Sequence, residues 1–250
     1  MTQAVQDISA DSALAGLPEF YRDAPDGVRV NMILSLDGAA AFHGLAGPLS
    51  NECDQNLLVA LRGFADVVLV GAGTVRAENY GPVCLTPAQV ADRRDRYGIT
   101  DIPPIAVVTR SGNLPASLFA DHRQRPLLVT TTELAHRRPE LRERADLLLA
   151  GETEVDIAAA VERLRIRGFR RVLCEGGPTL LDELIAADLV DDMCLTLSPT
   201  LTAAAPAVHP GVVALQAPTR LTLHHAFVSD DYAYLRYSRL TAAGNSRDCP

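Results

Sequence analysis

Tryptophan is absent from the 250-residue chain, and aromatic residues make up only 5% of it. Long apolar runs are missing as well, since no stretch approaches the ~18–20 residues that a membrane span needs. The N-terminal MTQAVQDISADSALAG carries acidic side chains and no cationic segment, which argues against a secretory signal. Positive charge is scarce: 23 Lys+Arg stand against 31 Asp+Glu, a net charge of −8. That balance argues against a basic nucleic-acid footprint or an anionic-membrane binder. The expectation is a cytoplasmic globular protein with neither nucleic acid nor membrane as partner. With 48% hydrophobic residues the chain has ample material for a core, so disorder and fibrous repeats are excluded.

Catalytic signatures are lacking in the same way. The five cysteines, Cys53, Cys84, Cys174, Cys194 and Cys249, are odd in number and form no C-x-x-C pair. They suggest small buried hydrophobes in a reducing compartment rather than a disulfide framework or zinc ribbon. The six histidines include no H-x-x-x-H or H-E-x-x-H helix. His224 and His225 are adjacent in a strand-like stretch, where neighbouring side chains face opposite ways. There is no zinc-deaminase signature, and no metal is expected. G-x-S-x-G and G-x-x-x-x-G-K-[ST] are both absent, which argues against an α/β-hydrolase and a P-loop. Of G-x-G-x-x-G only Gly71-Ala72-Gly73 is present, with Arg76 at the third glycine position.

What is present is an alternation of short apolar strands and helices. VRVNMILSL (28–36) is a β-rich run closed by the turn signal Asp37-Gly38. Ser50-Asn51 precede a helix to about Gly63, with Leu57, Leu58 and Leu61 as its apolar positions. DVVLVG (66–71), PIAVVT (104–109), PLLVTT (126–131) and DLLLA (146–150) read as strands buried on both faces. Thr86-Pro87-Ala88-Gln89 has the form of a capping box, opening a charged and exposed helix through about Tyr97. VDIAAAVERLRIRG (155–168) is an amphipathic helix ending in glycine. RVLC (171–174) leads through Gly-Gly-Pro into another helix, and MCLTLSP, LTLHHAFV and YAYLRYSRL follow as consecutive strands. The pattern predicts a single α/β domain over 27–240, with a mixed, mostly parallel sheet flanked by helices and antiparallel strands at its C-terminal end. Residues 1–26 read as an extension or lid, and 241–250 as a tail.

Two strand ends carry the chemistry. Gly71-Ala72-Gly73-Thr74 follows one buried strand, and glycines there let the backbone approach a ligand. Glu175-Gly176-Gly177-Pro178-Thr179 follows another, at the C-terminal strand edge where open α/β sheets bind ligands. Either is also readable as a plain tight turn, but two in one sheet favour a dinucleotide cradled by backbone. A cofactor 2′-phosphate needs a cation and hydroxyl donors at a strand end. Thr109-Arg110-Ser111 and Thr130-Thr131-Thr132 supply them, with Arg110 and Ser111 the leading candidates; an exposed turn and a helix cap are the plainer reading.

The combination of SLDG (35–38), GAGTVRAENYGP (71–82) and EGGPTLLDELIAADLVDD (175–192), ending in LSPTL, resembles the pyrimidine-reductase family over roughly residues 28–240. This is the reductase half of bifunctional riboflavin-synthesis deaminase-reductases, and the chain is similar to its stand-alone actinobacterial branch. The resemblance implies a dihydrofolate-reductase-like fold, NADPH as cofactor and a homodimer. It also implies reduction of a ring-opened phosphoribosylamino-pyrimidine to the ribitylamino product. It places the nucleotide-binding threonine at Thr74, helix-start cofactor contacts at Gly177, Pro178, Thr179 and Leu180, and Ser50 near the cofactor. Glu175 and Arg62 fall at substrate-contacting positions, with Asn31 and Glu78 beside them. Glu175 is the leading candidate for substrate anchoring and proton donation, and Asp37 is a second catalytic candidate that is also readable as a turn former.

The sequence departs from the family pattern where a substrate phosphate would bind. Glu78-Asn79-Tyr80-Gly81-Pro82 replaces Asp-Asp-Pro, Leu85 takes an arginine's place, and Asn31 stands where a lysine is common. Losing such cations costs about 1.5–3 kcal/mol per charged hydrogen bond. Arg76, Arg93, Arg94 and Arg96 are nearby cations, each equally readable as a solvated helix charge. Two alternatives therefore stand beside the riboflavin-pathway reductase: an NADPH-dependent reductase of another heterocycle such as dihydrofolate or a pterin, and a non-catalytic NADPH-binding protein.

Overall fold

The computed structural model describes residues 6–7, 16–203 and 215–239. The tail expected over 241–250 and Cys249 lie outside the described residues. Among the described residues ten strands form one sheet: β1 (Gln6–Asp7), β2 (Gly27–Ser35), β3 (Val67–Gly71), β4 (Ile105–Val108), β5 (Leu127–Thr130), β6 (Asp146–Leu149), β7 (Arg171–Cys174), β8 (Val190–Ser198), β9 (Thr222–Ser229) and β10 (Tyr232–Ser238). Their order is β1-β9-β10-β8-β2-β7-β3-β4-β5-β6. Every pairing is parallel except the two made by β10, which runs against both β8 and β9. The expected mixed sheet, reversed at its C-terminal end, is thus produced by one strand.

Alternation along the central strands builds two core layers. Val68 and Val70 face Leu57 and Leu61 of helix α1 (Glu52–Gly63). Val67 and Leu69 face Leu164 of one helix and Leu180 and Leu184 of another, on the opposite side. Each fully buried aliphatic side chain of this kind contributes about 1.5–3 kcal/mol. Residues expected to belong to an extension join the first layer: Leu17 and Tyr21 are each 1% exposed in a 3-10 turn (Leu17–Tyr21) packed on α1.

Caps set the helix starts. Asn51 Oδ1 accepts from the Asp54 amide at 2.9 Å and opens α1. After the six-residue helix α2 (Ala72–Ala77), the Thr86–Gln89 capping box opens α3 (Pro87–Tyr97) as its spacing predicts. The exposed character expected of α3 fails at Arg93, which is 1% exposed. Its guanidinium donates to the carbonyls of Gly63 at 2.9 Å, Ala65 at 2.5 Å and Asp101 at 3.0 Å. The last carbonyls of α1 have no partner inside their own helix, and Arg93 supplies one. It is therefore committed to structure rather than available to a phosphate.

Thr130 and Thr131 are used locally as well. Thr130 Oγ1 donates to the Thr109 carbonyl at 2.6 Å, and Thr131 caps α4 (Thr132–Arg137) by accepting from the Leu134 amide at 3.1 Å. A short helix α5 (Leu141–Arg144) precedes β6. The amphipathic helix expected over 155–168 is α6 (Ile157–Ile166), capped by Asp156. It lies against α7 (Pro178–Ala186).

Charge is buried beside the reversed strand. Asp192 is 0% exposed and accepts from Arg29 Nη2 at 2.6 Å and Arg236 Nε at 3.1 Å. Arg236 also pairs with Asp23 at 2.5 Å, which ties the segment before β2 to β8 and β10. His224 and His225 do face opposite ways: His224 is exposed and bonds Ser238 at 2.5 Å, while His225 sits among Tyr21, Phe20 and Phe227.

Candidate active site

The chain runs from β3 outward to β6, then returns to insert β7 between β2 and β3. The neighbouring strand ends of β3 and β7 lie at this reversal of direction, where crevices form in open α/β sheets. The Gly71 amide donates to the Gly176 carbonyl at 2.8 Å, joining the two glycine segments. A Cβ on Gly71 would meet the Gly177 nitrogen at 3.5 Å, and one on Gly177 would lie 2.5 Å from Thr74 Oγ1. Gly176 adopts φ +76°, a conformation that glycine tolerates best. Gly73 faces the other way, with nothing within 4 Å of the position a Cβ would take. The pair of loops is thus closed by glycine at their contact and open at Gly73.

They border a cleft of about 550 Å³, within the range of small-molecule sites. Most of the sequence candidates meet there: Asn31, Ser50, Arg62, Gly71, Gly73, Thr74, Glu78, Glu175, Gly177, Pro178, Thr179 and Leu180 all line it. α7 begins at Pro178 on its wall, and a helix's first turn presents amide groups that the helix itself does not use.

The centre of the charged wall is a closed cluster. Arg62 Nε donates to Glu175 Oε1 at 2.6 Å, and Nη2 to Oε2 at 2.7 Å. Tyr80 Oη donates to the same Oε2 at 2.8 Å. Burial works against the Arg62 charge, but the hydrogen bonds and charge of Glu175 outweigh it and raise the guanidinium above its ordinary value. Burial first, and the Glu175 charge second, push the Tyr80 phenol up, so it stays a donor.

Other candidates are placed differently. Asp37 is not among the residues lining the cleft. Its carboxylate accepts from Ser35 Oγ at 2.5 Å and from the Ala203 amide at 2.7 Å, tying the ends of β2 and β8 together. The Ser35 hydrogen bond, with those of the backbone, lowers it to about 2. Arg110 and Ser111 lie past the end of β4, exposed and outside the cleft lining; Arg110 pairs with Glu154 at 2.5 Å. Glu78 lines the cleft but accepts from the Ala46 amide at 2.6 Å, holding the loop that forms the opposite wall. Asn31 lines it with a buried Oδ1 that has no hydrogen-bond partner.

Sequence reasoning missed Asp54 and Tyr80. Asp54, 8% exposed, lines the cleft and accepts from Ser50 Oγ at 2.7 Å. Its signal was the spacing Asp54–Leu58–Arg62, at i, i+4 and i+8 on one face of α1. Leu58, expected to be an apolar core position, belongs to that cleft face. Tyr80 lies in the stretch that departs from the family pattern, so the resemblance supplied no role for it.

The glycine geometry fits a dinucleotide, because an open Gly73 and the start of α7 let phosphate oxygens approach the backbone. Comparisons with known proteins agree with this architecture. Residues 27–233 match the RibD C-terminal domain family. A 2,5-diamino-6-ribosylamino-4(3H)-pyrimidinone 5′-phosphate reductase of Methanothermobacter thermautotrophicus is 30% identical over 176 residues, covering 70% of this chain and 78% of the relative. The reductase of the same name from Archaeoglobus fulgidus is 29% identical over 176 residues, covering 69% of this chain and 80% of the relative. Among solved structures, a pyrimidine reductase-like protein from Corynebacterium diphtheriae superposes with a TM-score of 0.72 at 25% identity, covering 89% of this chain and 94% of that one. The matched span, residues 27–233, contains the residues that line the cleft, and the chain belongs to the RibD C-terminal domain family.

Proposed function

We propose that this protein is an NADPH-dependent reductase of a phosphoribosylamino-pyrimidine, such as 5-amino-6-(5-phosphoribosylamino)uracil, giving the ribitylamino product in riboflavin biosynthesis. The observation that carries the reading is the meeting, in one cleft, of the Gly71/Gly176 backbone contact and the Arg62–Glu175–Tyr80 cluster.

NADPH, when bound, supplies the hydride for the ribose anomeric carbon. Thr74, Gly177, Pro178, Thr179 and Leu180 would hold its phosphates and nicotinamide side, Ser50 would close over it, and Arg110 with Ser111 would receive the 2′-phosphate. Glu175 anchors the substrate through an orientation that Arg62 and Tyr80 fix on both of its oxygens. Positioning of this kind is most of what hydride transfer to an imine-like carbon requires. Asp37 acts at one remove, holding residues 202–203 against the end of β2.

A homodimer, in the cytoplasm, completes the reading. Met193, Leu195 and Leu197 of β8 and Leu235 of β10 share one half-buried apolar sheet face, and such faces are common at subunit contacts.

A second reading has its own support. Among the described residues lining the cleft, Arg62 is the one basic side chain, and it is committed to Glu175. That favours a flat heterocycle without a phosphate, such as dihydrofolate. NADPH oxidation by the purified protein, with the phosphoribosylamino-uracil and dihydrofolate in parallel, separates the two readings. Turnover of the pyrimidine supports the first, turnover of dihydrofolate the second, and NADPH binding with neither removes both.

A further inference from the structure

Strands β2 to β7 run parallel, so their C-terminal ends share one edge of the sheet, and the cleft lies at the part formed by β2, β7 and β3. Farther along that edge Arg110 follows β4 and Glu154 follows β6. Their side chains pair past the end of β5, which lies between those strands, with Nη1 2.5 Å from Oε2. Helix α7 joins the two places. Thr179 lines the cleft, and Glu183 lies one turn on, about 6 Å along the same helix face. Burial raises the Glu183 carboxyl, while the charge of Arg110 pulls it down and that of Glu154 pushes it up. Arg110 thus has two carboxylates within reach of its charge.

Neighbouring groups that could meet a phosphate here are held by other partners. Thr130 Oγ1 donates to the Thr109 carbonyl, and Thr131 caps α4. Arg138 reaches the same loop at the Ser111 carbonyl, but its guanidinium is held by Glu140. Arg110 is therefore the cation best placed for a 2′-phosphate, and Glu154 is its resident partner.

We infer that Glu154 sets the choice between NADPH and NADH by competing with the 2′-phosphate for Arg110, so that this protein accepts both dinucleotides. This deepens the reductase reading and rests on its placement of the 2′-phosphate at Arg110. A phosphate brings charge and several acceptor oxygens, enough to draw Arg110 out of an exposed ion pair, which is weak in water. Part of what Arg110 gains there is offset by what it gives up at Glu154. NADH meets no such cost. Its ribose keeps a 2′-hydroxyl, a donor that an acidic residue accepts in dinucleotide-binding sheets. Glu154 can take that hydrogen bond while still paired with Arg110. Glu183 adds a second negative charge and shifts the balance the same way.

The test is equilibrium binding of NADPH and of NADH, read by calorimetry, to the wild-type protein, Glu154→Gln, Arg110→Ala and the double variant. Arg110 and Glu154 are both exposed, so these variants remove no buried contact. Wild-type affinities for the two dinucleotides should differ by no more than about 10-fold. Glu154→Gln keeps the side chain's shape and removes its charge. NADPH should then tighten, NADH should bind no better, and their affinity ratio should widen by about 5-fold. Because Glu154 acts through Arg110, the same substitution should have much less effect in the Arg110→Ala background. An equal effect in both backgrounds, or a wild-type preference for NADPH beyond about 100-fold, overturns the inference. If neither dinucleotide binds, the reductase reading fails and the inference falls with it. Binding of NADPH with a ratio that Glu154→Gln does not move overturns the inference alone.

Discussion

The Arg62 guanidinium and the Glu175 carboxylate meet side by side, Nε to Oε1 at 2.6 Å and Nη2 to Oε2 at 2.7 Å, across 113 positions of sequence. Glu175 follows β7 and Arg62 ends a turn of α1, so the pair locks the sheet edge to the helix that walls the cleft. Glu175→Gln keeps the shape and removes the charge, leaving Arg62 partly buried with a neutral partner. Breaking such a pair costs about 2 kcal/mol or more. Substrate kcat/KM should fall at least about 30-fold, with NADPH affinity retained in a fluorescence titration. An unchanged kcat/KM would remove Glu175 from substrate anchoring.

Gly177 and Thr74 supply a second test, because a Cβ at Gly177 would lie 2.5 Å from Thr74 Oγ1. Gly177→Ala should weaken NADPH by about 10-fold, roughly 1.4 kcal/mol. Thr74→Ala removes the clashing oxygen, so Gly177→Ala should cost less in that background. A double-mutant cycle read by calorimetry reports the coupling, and strict additivity would contradict the close contact.

Much of this was legible in the sequence. The strands β3, β4 and β5 declared themselves as short apolar runs buried on both faces, whereas DLLLA forms the edge strand β6, in which only Leu148 is buried because no neighbour covers its outer side. The capping box at Thr86 and the Asp156-led helix opened where their residue types require. The glycine segments were legible because two of them follow two buried strands, a pattern that favours close backbone approach over two plain turns. What was hidden depended on partners distant in the chain. Arg93 is indistinguishable in sequence from Arg94 and Arg96, and only the carbonyls at the end of α1 make it a buried cap. Tyr80 gains its role from Glu175, 95 positions away. Asp54 had a readable helical spacing, but its meaning required knowing that this face of α1 opens on a cleft rather than on solvent.

Arg110 provides a test of cofactor choice. It is exposed and paired with Glu154, so a 2′-phosphate would have to draw it from that carboxylate. Arg110→Ala should weaken NADPH by about 10-fold and leave NADH nearly unaffected. An unchanged NADPH/NADH affinity ratio would assign Arg110 to the surface pair with Glu154 and nothing more.

His225 gives the pH dependence of stability. Burial first, then the charges of Arg236 and His224, lower its imidazole to about 4, while Asp192 and Asp23 pull the other way. Its ordinary value is about 6.5, so below that pH the unfolded chain takes up a proton that the folded one refuses. The stability His225 contributes is complete above about pH 6.5 and is lost progressively as the pH falls toward 4. His225→Phe should flatten the fall of the thermal midpoint across that window. A variant with the same slope as the wild type would contradict this assignment.

The most direct test of the central claim is transfer of deuterium from NADPH labelled at nicotinamide C4 on the transferring face. With the phosphoribosylamino-pyrimidine as substrate, mass spectrometry of the ribitylamino product should show one deuterium on the former anomeric carbon. Product that forms without label would contradict the account, because its hydride would have come from somewhere other than a dinucleotide held between Gly73 and α7.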